Sequence, residues 1–212
     1  MTQAASATDA TDGDAAEPKR IGLLGGTFDP VHWGHLLLAE CAREACGLDE
    51  VWFVPAAAPP HKPGRAITLP RHRLQMLELA TAGLPQFVVS NIEIGREGPS
   101  YTVDTLTAIH EQRPNADLHF LMGADSLKDL PTWRQPERIA ELATIVAVSR
   151  GEAIAAVPTD CGPYSDRIRL VPMPACGLSA TDLRERAKSG RSLLFRTPRP
   201  VELYIREHSL YG

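Results

Sequence analysis

The sequence has no apolar run approaching the roughly 20 residues needed to cross a bilayer. It has no internal repeat either, which excludes a solenoid or propeller. Cysteine is scarce: Cys41, Cys46, Cys161 and Cys176 show neither CxxC spacing nor the density of a small secreted scaffold. Free thiols in a reducing, cytoplasmic setting are the expectation, with no metal role for them. A basic excess is also missing. The net charge is -4, and Asp9, Asp12, Asp14 and Glu17 account for all of it, so the rest of the chain is neutral. A neutral body lacks the footprint that neutralises many phosphates of a nucleic acid, and a few focused groups holding a small phosphorylated ligand suit it better. The first eighteen residues lack the apolar core of a signal peptide and the arginines of a transit sequence. They read as a disordered tail.

What is present suits one domain over residues 19–212. Short runs rich in Val, Ile and Phe alternate with longer segments of helical period. Strands are expected at Arg20–Leu24, Glu50–Val54, Gln86–Glu93, Leu118–Met122, Thr144–Ser149 and Arg167–Val171. Helices are expected at Gly34–Cys46, Arg71–Ala82, Thr102–Gln112, Thr181–Lys188 and Val201–Ser209. Strands separated by helices of this length need crossovers, which build an α/β fold, a doubly wound parallel sheet with helices on both faces. Between Pro55 and Pro70, proline, glycine and basic residues break both periodicities and suggest a long exposed loop. Ligands of such sheets sit at the carboxyl ends of the strands.

The segment Leu24-Gly-Gly-Thr-Phe-Asp-Pro-Val-His-Trp-Gly-His35 occupies that position after the first strand. Gly25 and Gly26 let the backbone approach a ligand, Pro30 stiffens the loop, and Gly34 leaves room beside His32 and His35 at a helix N-terminus. Two imidazoles and several N–H groups then face one anion. No Gly-Lys-Ser/Thr follows, and the glycines stand at 22, 25 and 26, so neither a Walker A loop nor GxGxxG is present. A plain turn with surface histidines would read the same way. Asp29, His32 and His35 are also zinc-binding residue types, although they lack the HExxH spacing.

GGTFDPVHWGH resembles the signature of the HxGH nucleotidyltransferases, a family with a Rossmann-like fold. The resemblance implies that His32 stabilises the transferring phosphate and His35 contacts the ATP phosphates, while Gly25, Gly26, Thr27, Phe28 and Gly34 line the nucleotide. Leu178-Ser-Ala-Thr-Asp-Leu-Arg184 resembles the family's ISxTxxR element, with leucine for isoleucine. It implies that Ser179, Thr181 and Arg184 hold the β- and γ-phosphates, with His32, His35 and Arg184 as the catalytic set. Ser179 followed by Asp182 is equally a helix N-cap with an acid in the first turn, and the two readings coexist.

Pro59-Pro-His-Lys62, Pro99-Ser-Tyr-Thr-Val-Asp-Thr-Leu106, Gly123-Ala-Asp-Ser126 and Leu130-Pro-Thr-Trp133 resemble blocks of the bacterial nicotinate-nucleotide adenylyltransferases. The resemblance runs over nearly everything from Lys19 onward. It implies that nicotinate mononucleotide meets Lys62, Tyr101, Thr102 and Trp133, with the indole stacked on the cationic pyridine ring. Gly123 and Asp125 would meet the ATP ribose. Each residue also has a plainer use: Trp133 in the core, Thr102 as an N-cap, Asp125 as a turn former, Lys62 as a solvated charge. Ser149 and Arg150 follow a strand too, but Gly151-Glu152 stands where the family carries Pro-Gly, so no adenine-side role is carried onto Arg150. The implied reaction is adenylyl transfer from ATP to nicotinate mononucleotide with release of pyrophosphate, in NAD biosynthesis. Mg²⁺ would arrive on the ATP phosphates, and no dedicated metal cage is expected. No nucleic-acid or membrane partner is expected, and a homo-oligomer is compatible with the sequence. Phosphopantetheine or nicotinamide mononucleotide as acceptor, a metal-dependent hydrolase and a nucleotide-binding module without turnover are the rival readings.

Overall fold

The structure, a computed structural model, describes residues 18–58, 67–96, 98–151 and 164–212. The tail up to residue 17, most of the long loop with Lys62, and Cys161 lie outside these residues, as does the side chain of Arg150. Six strands form one sheet: β1 Arg20–Gly26, β2 Glu50–Pro55, β3 Phe87–Val89, β4 Asp117–Gly123, β5 Thr144–Arg150 and β6 Ile168–Met173. Their spatial order is β3-β2-β1-β4-β5-β6, and every pair is parallel. The order reverses between β1 and β4, which opens a crevice at their carboxyl ends.

Both faces of the sheet are covered, because both phases of each central strand are apolar. Leu121, Val146 and Val148 point into one cluster, shared with Ala39 and Ala42 of α1 (Trp33–Cys46), Met76 and Leu77 of α2 (Pro70–Thr81), Leu183 of α5 (Ala180–Lys188) and Ile205 of α6 (Arg199–Glu207). Their neighbours Phe120, Met122, Ile145 and Ala147 point the other way, toward Leu106 and Ile109 of α3 (Thr102–Gln112) and Ile139 of α4 (Pro136–Leu142). Alternation with period two, apolar in both phases, is what a parallel sheet buried on both sides requires. At about 1.5–3 kcal/mol for each fully buried Leu, Ile, Val or Phe, these two clusters carry the fold.

α1 ends where Gly47 adopts the left-handed conformation (φ 62°, ψ 42°), and Leu48 N–H donates to Arg43 O at 2.9 Å. A side chain there would be strained, and this stop sends the chain into β2.

Three differences from the sequence reading have physical causes. The expected strand Gln86–Glu93 is only Phe87–Val89, and beyond Ser90 the chain turns. Glu93 is buried there, accepting the Thr105 hydroxyl at 2.7 Å, a contact an extended strand would forgo. Gly25 and Gly26 belong to β1 and pair with Val54 and Pro55, so the strand runs two residues further than the glycines suggested. Between β4 and β5 lie a 3₁₀ segment, Ala124–Thr132, which contains Pro131 and lacks the α-helical period, and α4, which at seven residues is too short for that period to repeat.

Candidate active site

The loop from Thr27 to Val31 crosses the carboxyl end of β1. Phe28 has φ 49°, an uncommon left-handed value for a non-glycine residue, and its ring folds back over the strand. A Cβ on Gly26 would lie 2.9 Å from that ring, so Gly26 is needed to seat it. Phe28 is buried and meets Phe53 and His35 edge-on, with centroids 5.7 and 5.0 Å apart.

His32 is the N-cap of α1 and is buried; His35 sits one turn on. Their rings stack with centroids 3.8 Å apart, and the main-chain N–H of His32 donates to Nδ1 of His35 at 3.3 Å. An Nδ1 that accepts places the neutral ring's proton on Nε2, so His35 presents a donor edge. Gly34 leaves room for this arrangement. A Cβ there would lie 3.1 Å from the His32 ring and 3.3 Å from Cys176 Sγ.

The second motif folds against this loop from the far end of the chain. Ser179 caps α5, accepting the Asp182 N–H at 3.1 Å, so the capping reading holds. Arg184 reaches across, donating to the carbonyl of Asp29 at 2.6 Å and to the Thr181 hydroxyl at 3.0 Å. Together Thr27, Asp29, His35, Ile67, Ala180 and Arg184 line a cleft of about 80 Å³, with the edge of Phe28. A larger cavity, about 300 Å³ between α5 and α6, contains none of the motif residues.

Beneath the loop lies a polar network that the sequence reading missed. Arg73 is 0% exposed, yet it carries a guanidinium: Nε donates to Thr68 O and Nη1 to Thr27 O, each at 2.9 Å. Burial holds its pKa below the ordinary arginine value, against the opposing pull of the Asp29 charge. Asp29, itself buried, accepts the Tyr211 hydroxyl at 2.7 Å and the Thr68 N–H at 3.3 Å. Burial, then the Asp29 charge, pushes the Tyr211 phenol well above its usual range. The Thr197 hydroxyl donates to Val31 O at 2.8 Å and Trp33 N–H to Arg196 O at 3.2 Å. The sequence did carry one signal. Arg73 shares the helical stripe of Met76 and Leu77, where a solvated arginine has no place. Nothing local pairs Asp29 with Tyr211, 182 positions away.

With its carboxylate engaged in this way, Asp29 does not form a metal triad with His32 and His35. Among the described residues no three His, Cys, Asp or Glu side chains converge as metal ligands. Cys41, Cys46 and Cys176 are free thiols.

The remaining sequence-derived residues lie around the ends of β4 and α3. Asp125 is exposed at the start of the 3₁₀ segment, its Oδ1 2.5 Å from where a Cβ on Gly123 would stand, so the glycine lets it fold back over the strand end. Tyr101 is the N-cap position of α3 and Thr102 its first residue, without a side-chain cap bond. Trp133 ends the 3₁₀ segment, half-buried, its indole edge-on to Phe120 with centroids 5.7 Å apart. Arg134 brings these two segments together: its guanidinium lies 4.8 Å from the Tyr101 ring centroid.

The fold and this loop constellation are those of a nucleotidyltransferase, and the chain belongs to the cytidylyltransferase-like family, whose model matches residues 23–186. A Thermomicrobium roseum protein named probable nicotinate-nucleotide adenylyltransferase is 48% identical over 199 residues, covering 91% of each chain. A Thermus thermophilus protein of the same name is 46% identical over 194 residues, covering 91% of this chain and 99% of its own. A solved Plasmodium falciparum nicotinic acid mononucleotide adenylyltransferase complexed with NaAD shares the fold at TM-score 0.75 and 18% identity, over 91% of this chain and 97% of that one.

Proposed function

We propose that this protein transfers the adenylyl group of ATP to nicotinate mononucleotide, giving nicotinate adenine dinucleotide and pyrophosphate for NAD biosynthesis, through one domain over residues 19–212. The observation that carries the reading is the contact of Arg184 with the carbonyl of Asp29, which joins the HWGH loop and the SATDLR helix start at the β1/β4 crevice. The relatives' shared name gives the acceptor.

In this reading a phosphate oxygen of nicotinate mononucleotide attacks the α-phosphorus of ATP in line, and the bond to the β-phosphate oxygen breaks, without a covalent enzyme intermediate. With a second pKa near ~6, the nucleophile is mostly dianionic at neutral pH and needs no general base. Catalysis is then positioning plus charge stabilisation. His32 stabilises the transferring phosphate, while His35, Ser179, Thr181 and Arg184 hold the phosphates that leave. Gly25, Gly26, Thr27, Phe28 and Gly34 shape the nucleotide's bed, and Gly123 and Asp125 meet the ribose. Tyr101, Thr102 and Trp133 receive nicotinate mononucleotide, and Lys62 reaches its phosphate. Mg²⁺ fits as a companion of the ATP phosphates rather than of a protein cage, since Asp29, the carboxylate that lines the cleft among the described residues, is already hydrogen-bonded. Its charge would offset that of the leaving pyrophosphate.

The test is direct. Protein, Mg²⁺-ATP and one acceptor at a time, among nicotinate mononucleotide, nicotinamide mononucleotide and phosphopantetheine, are combined and the products weighed by mass spectrometry. Nicotinate adenine dinucleotide with stoichiometric pyrophosphate is expected; turnover only with phosphopantetheine, or none with any acceptor, would overturn the reading.

A further inference from the structure

The described histidines form two close pairs. His32 and His35 belong to the candidate active site, stacked at 3.8 Å, with Nδ1 of His35 already accepting a main-chain N–H. His72 and His208 take no part in the reaction proposed above. They come from different elements, α2 and the cap that ends α6, and their ring centroids lie 5.3 Å apart. His72 is half-buried and His208 exposed, so the pair lies at the surface, where α2 packs on α6.

Tyr204 of α6 completes the cluster. Its hydroxyl lies 2.8 Å from Nδ1 of His72, and its ring centroid is 4.2 Å from that of His208. When Nδ1–H donates to the phenol oxygen, Nε2 of His72 carries a lone pair. A ring whose second nitrogen is held by an oxygen in this way has its tautomer and plane fixed, which is how proteins prepare a histidine for a metal. An ion about 2.0–2.1 Å from one nitrogen of each ring, bonded at a tetrahedral angle, holds the ring centres roughly 5 Å apart. The observed separation matches this, and the exposed His208 ring has room to turn toward the ion.

We infer that His72 and His208 form a two-histidine site for a divalent transition ion of the Zn²⁺, Ni²⁺ or Cu²⁺ class, the ions that imidazole suits. Water fills the remaining positions, and Tyr204 is the outer partner that orients His72. The site has a structural consequence. His72 directly precedes Arg73, and His208 stands a turn before Tyr211, the two residues that hold the Thr27–Val31 loop from below. An ion at this point ties α2 to the end of α6 and stiffens both supports of that loop.

The probe is Ni²⁺ alone, which imidazole binds well and thiolates do not favour. It is titrated into the full chain without ATP, whose phosphates would compete for it. Calorimetry on the wild type shows a site for one Ni²⁺ per chain, and the melting temperature rises with Ni²⁺ concentration. His72→Asn keeps a hydrogen-bonding group for Tyr204. Like His208→Ala, it lowers the affinity about 10²-fold or more, because a two-point chelate becomes a single contact. Tyr204→Phe removes only the outer partner and lowers the affinity roughly 10-fold. His110→Ala, at an exposed histidine of α3, leaves it unaltered. Melting of each variant without Ni²⁺ confirms that folded proteins are being compared. No stoichiometric uptake by the wild type, uptake that survives in His72→Asn or His208→Ala, or an equal loss in His110→Ala would each overturn the site and leave the three rings as packing between α2 and α6.

Discussion

The two ends of the candidate site are built differently. At the end proposed for the phosphates the backbone loop is gripped from below: Arg73 and Arg184 hold the carbonyls of Thr27 and Asp29 respectively, Tyr211 holds the Asp29 carboxylate and Thr197 holds Val31 O, by elements scattered over most of the chain. At the end proposed for the pyridine nucleotide, Tyr101, Asp104, Trp133 and Arg134 are tied by ring contacts and an exposed ion pair. Buried hydrogen-bonded charges are costly to disturb, whereas exposed pairs exchange with water and ligand. In the proposed reaction the first end would be preorganised for developing charge, and the second would be open to a ligand that must enter and leave.

If that contrast holds, the largest effect should come from the buried cation. Arg73→Met strands the carbonyls of Thr27 and Thr68 and leaves Asp29 without its nearby positive charge, a loss of about 3–5 kcal/mol of stability. Denaturant melts would measure it, and a loss below about 1 kcal/mol would mean that the loop does not depend on Arg73.

Next is His32→Ala, which should lower kcat about 10²- to 10³-fold with little change in melting temperature, as when a transition-state donor is removed. An unaltered kcat would remove His32 from the catalytic set. Tyr211→Phe should cost about 1.5–3 kcal/mol, because a charged acceptor loses its donor, and the effect should depend on pH. The folded-state pKa of Tyr211 is raised above the ordinary value of 10.0, so the neutral phenol's contribution is full below that value and is lost as pH rises beyond it. The gap in melting temperature between wild type and Tyr211→Phe should therefore narrow above pH 10; a constant gap up to pH 11 would contradict the assignment.

The smallest effect belongs to the open end. Trp133→Ala should raise the KM for nicotinate mononucleotide roughly 5- to 30-fold, about 1–2 kcal/mol, and that for ATP far less. Trp133→Phe should retain most of the wild-type behaviour. If the alanine variant instead melts much earlier while its KM values stay normal, the indole belongs with Phe120 in the core.

Much of this molecule was legible in the order of its residues. Strands β1, β2, β4, β5 and β6 and helices α1, α2, α3, α5 and α6 announced themselves through apolar period, since each is long enough for its period to repeat. β3 was overdrawn because its apolar pattern continues past Val89, whereas Glu93 is drawn inward to Thr105 of α3. α4, at seven residues, was too short to read. The HWGH and SATDLR segments were visible because each concentrates its chemistry within a few neighbouring positions.

By itself, then, the sequence determined where the HWGH and SATDLR motifs lie, that strands and helices alternate, and that residues such as His32 and Ser179 stand at helix starts, because these are consequences of local spacing. Only the tertiary structure decided that the Asp29 carboxylate is buried and bonded to Tyr211 and the Thr68 N–H, that a buried arginine of α2 supports the loop, and that Tyr211 closes the network from the far end of the chain. Those facts depend on which polar groups the strand order β3-β2-β1-β4-β5-β6 buries together, and a buried polar group takes its partner from whatever the fold brings near, however distant in the chain.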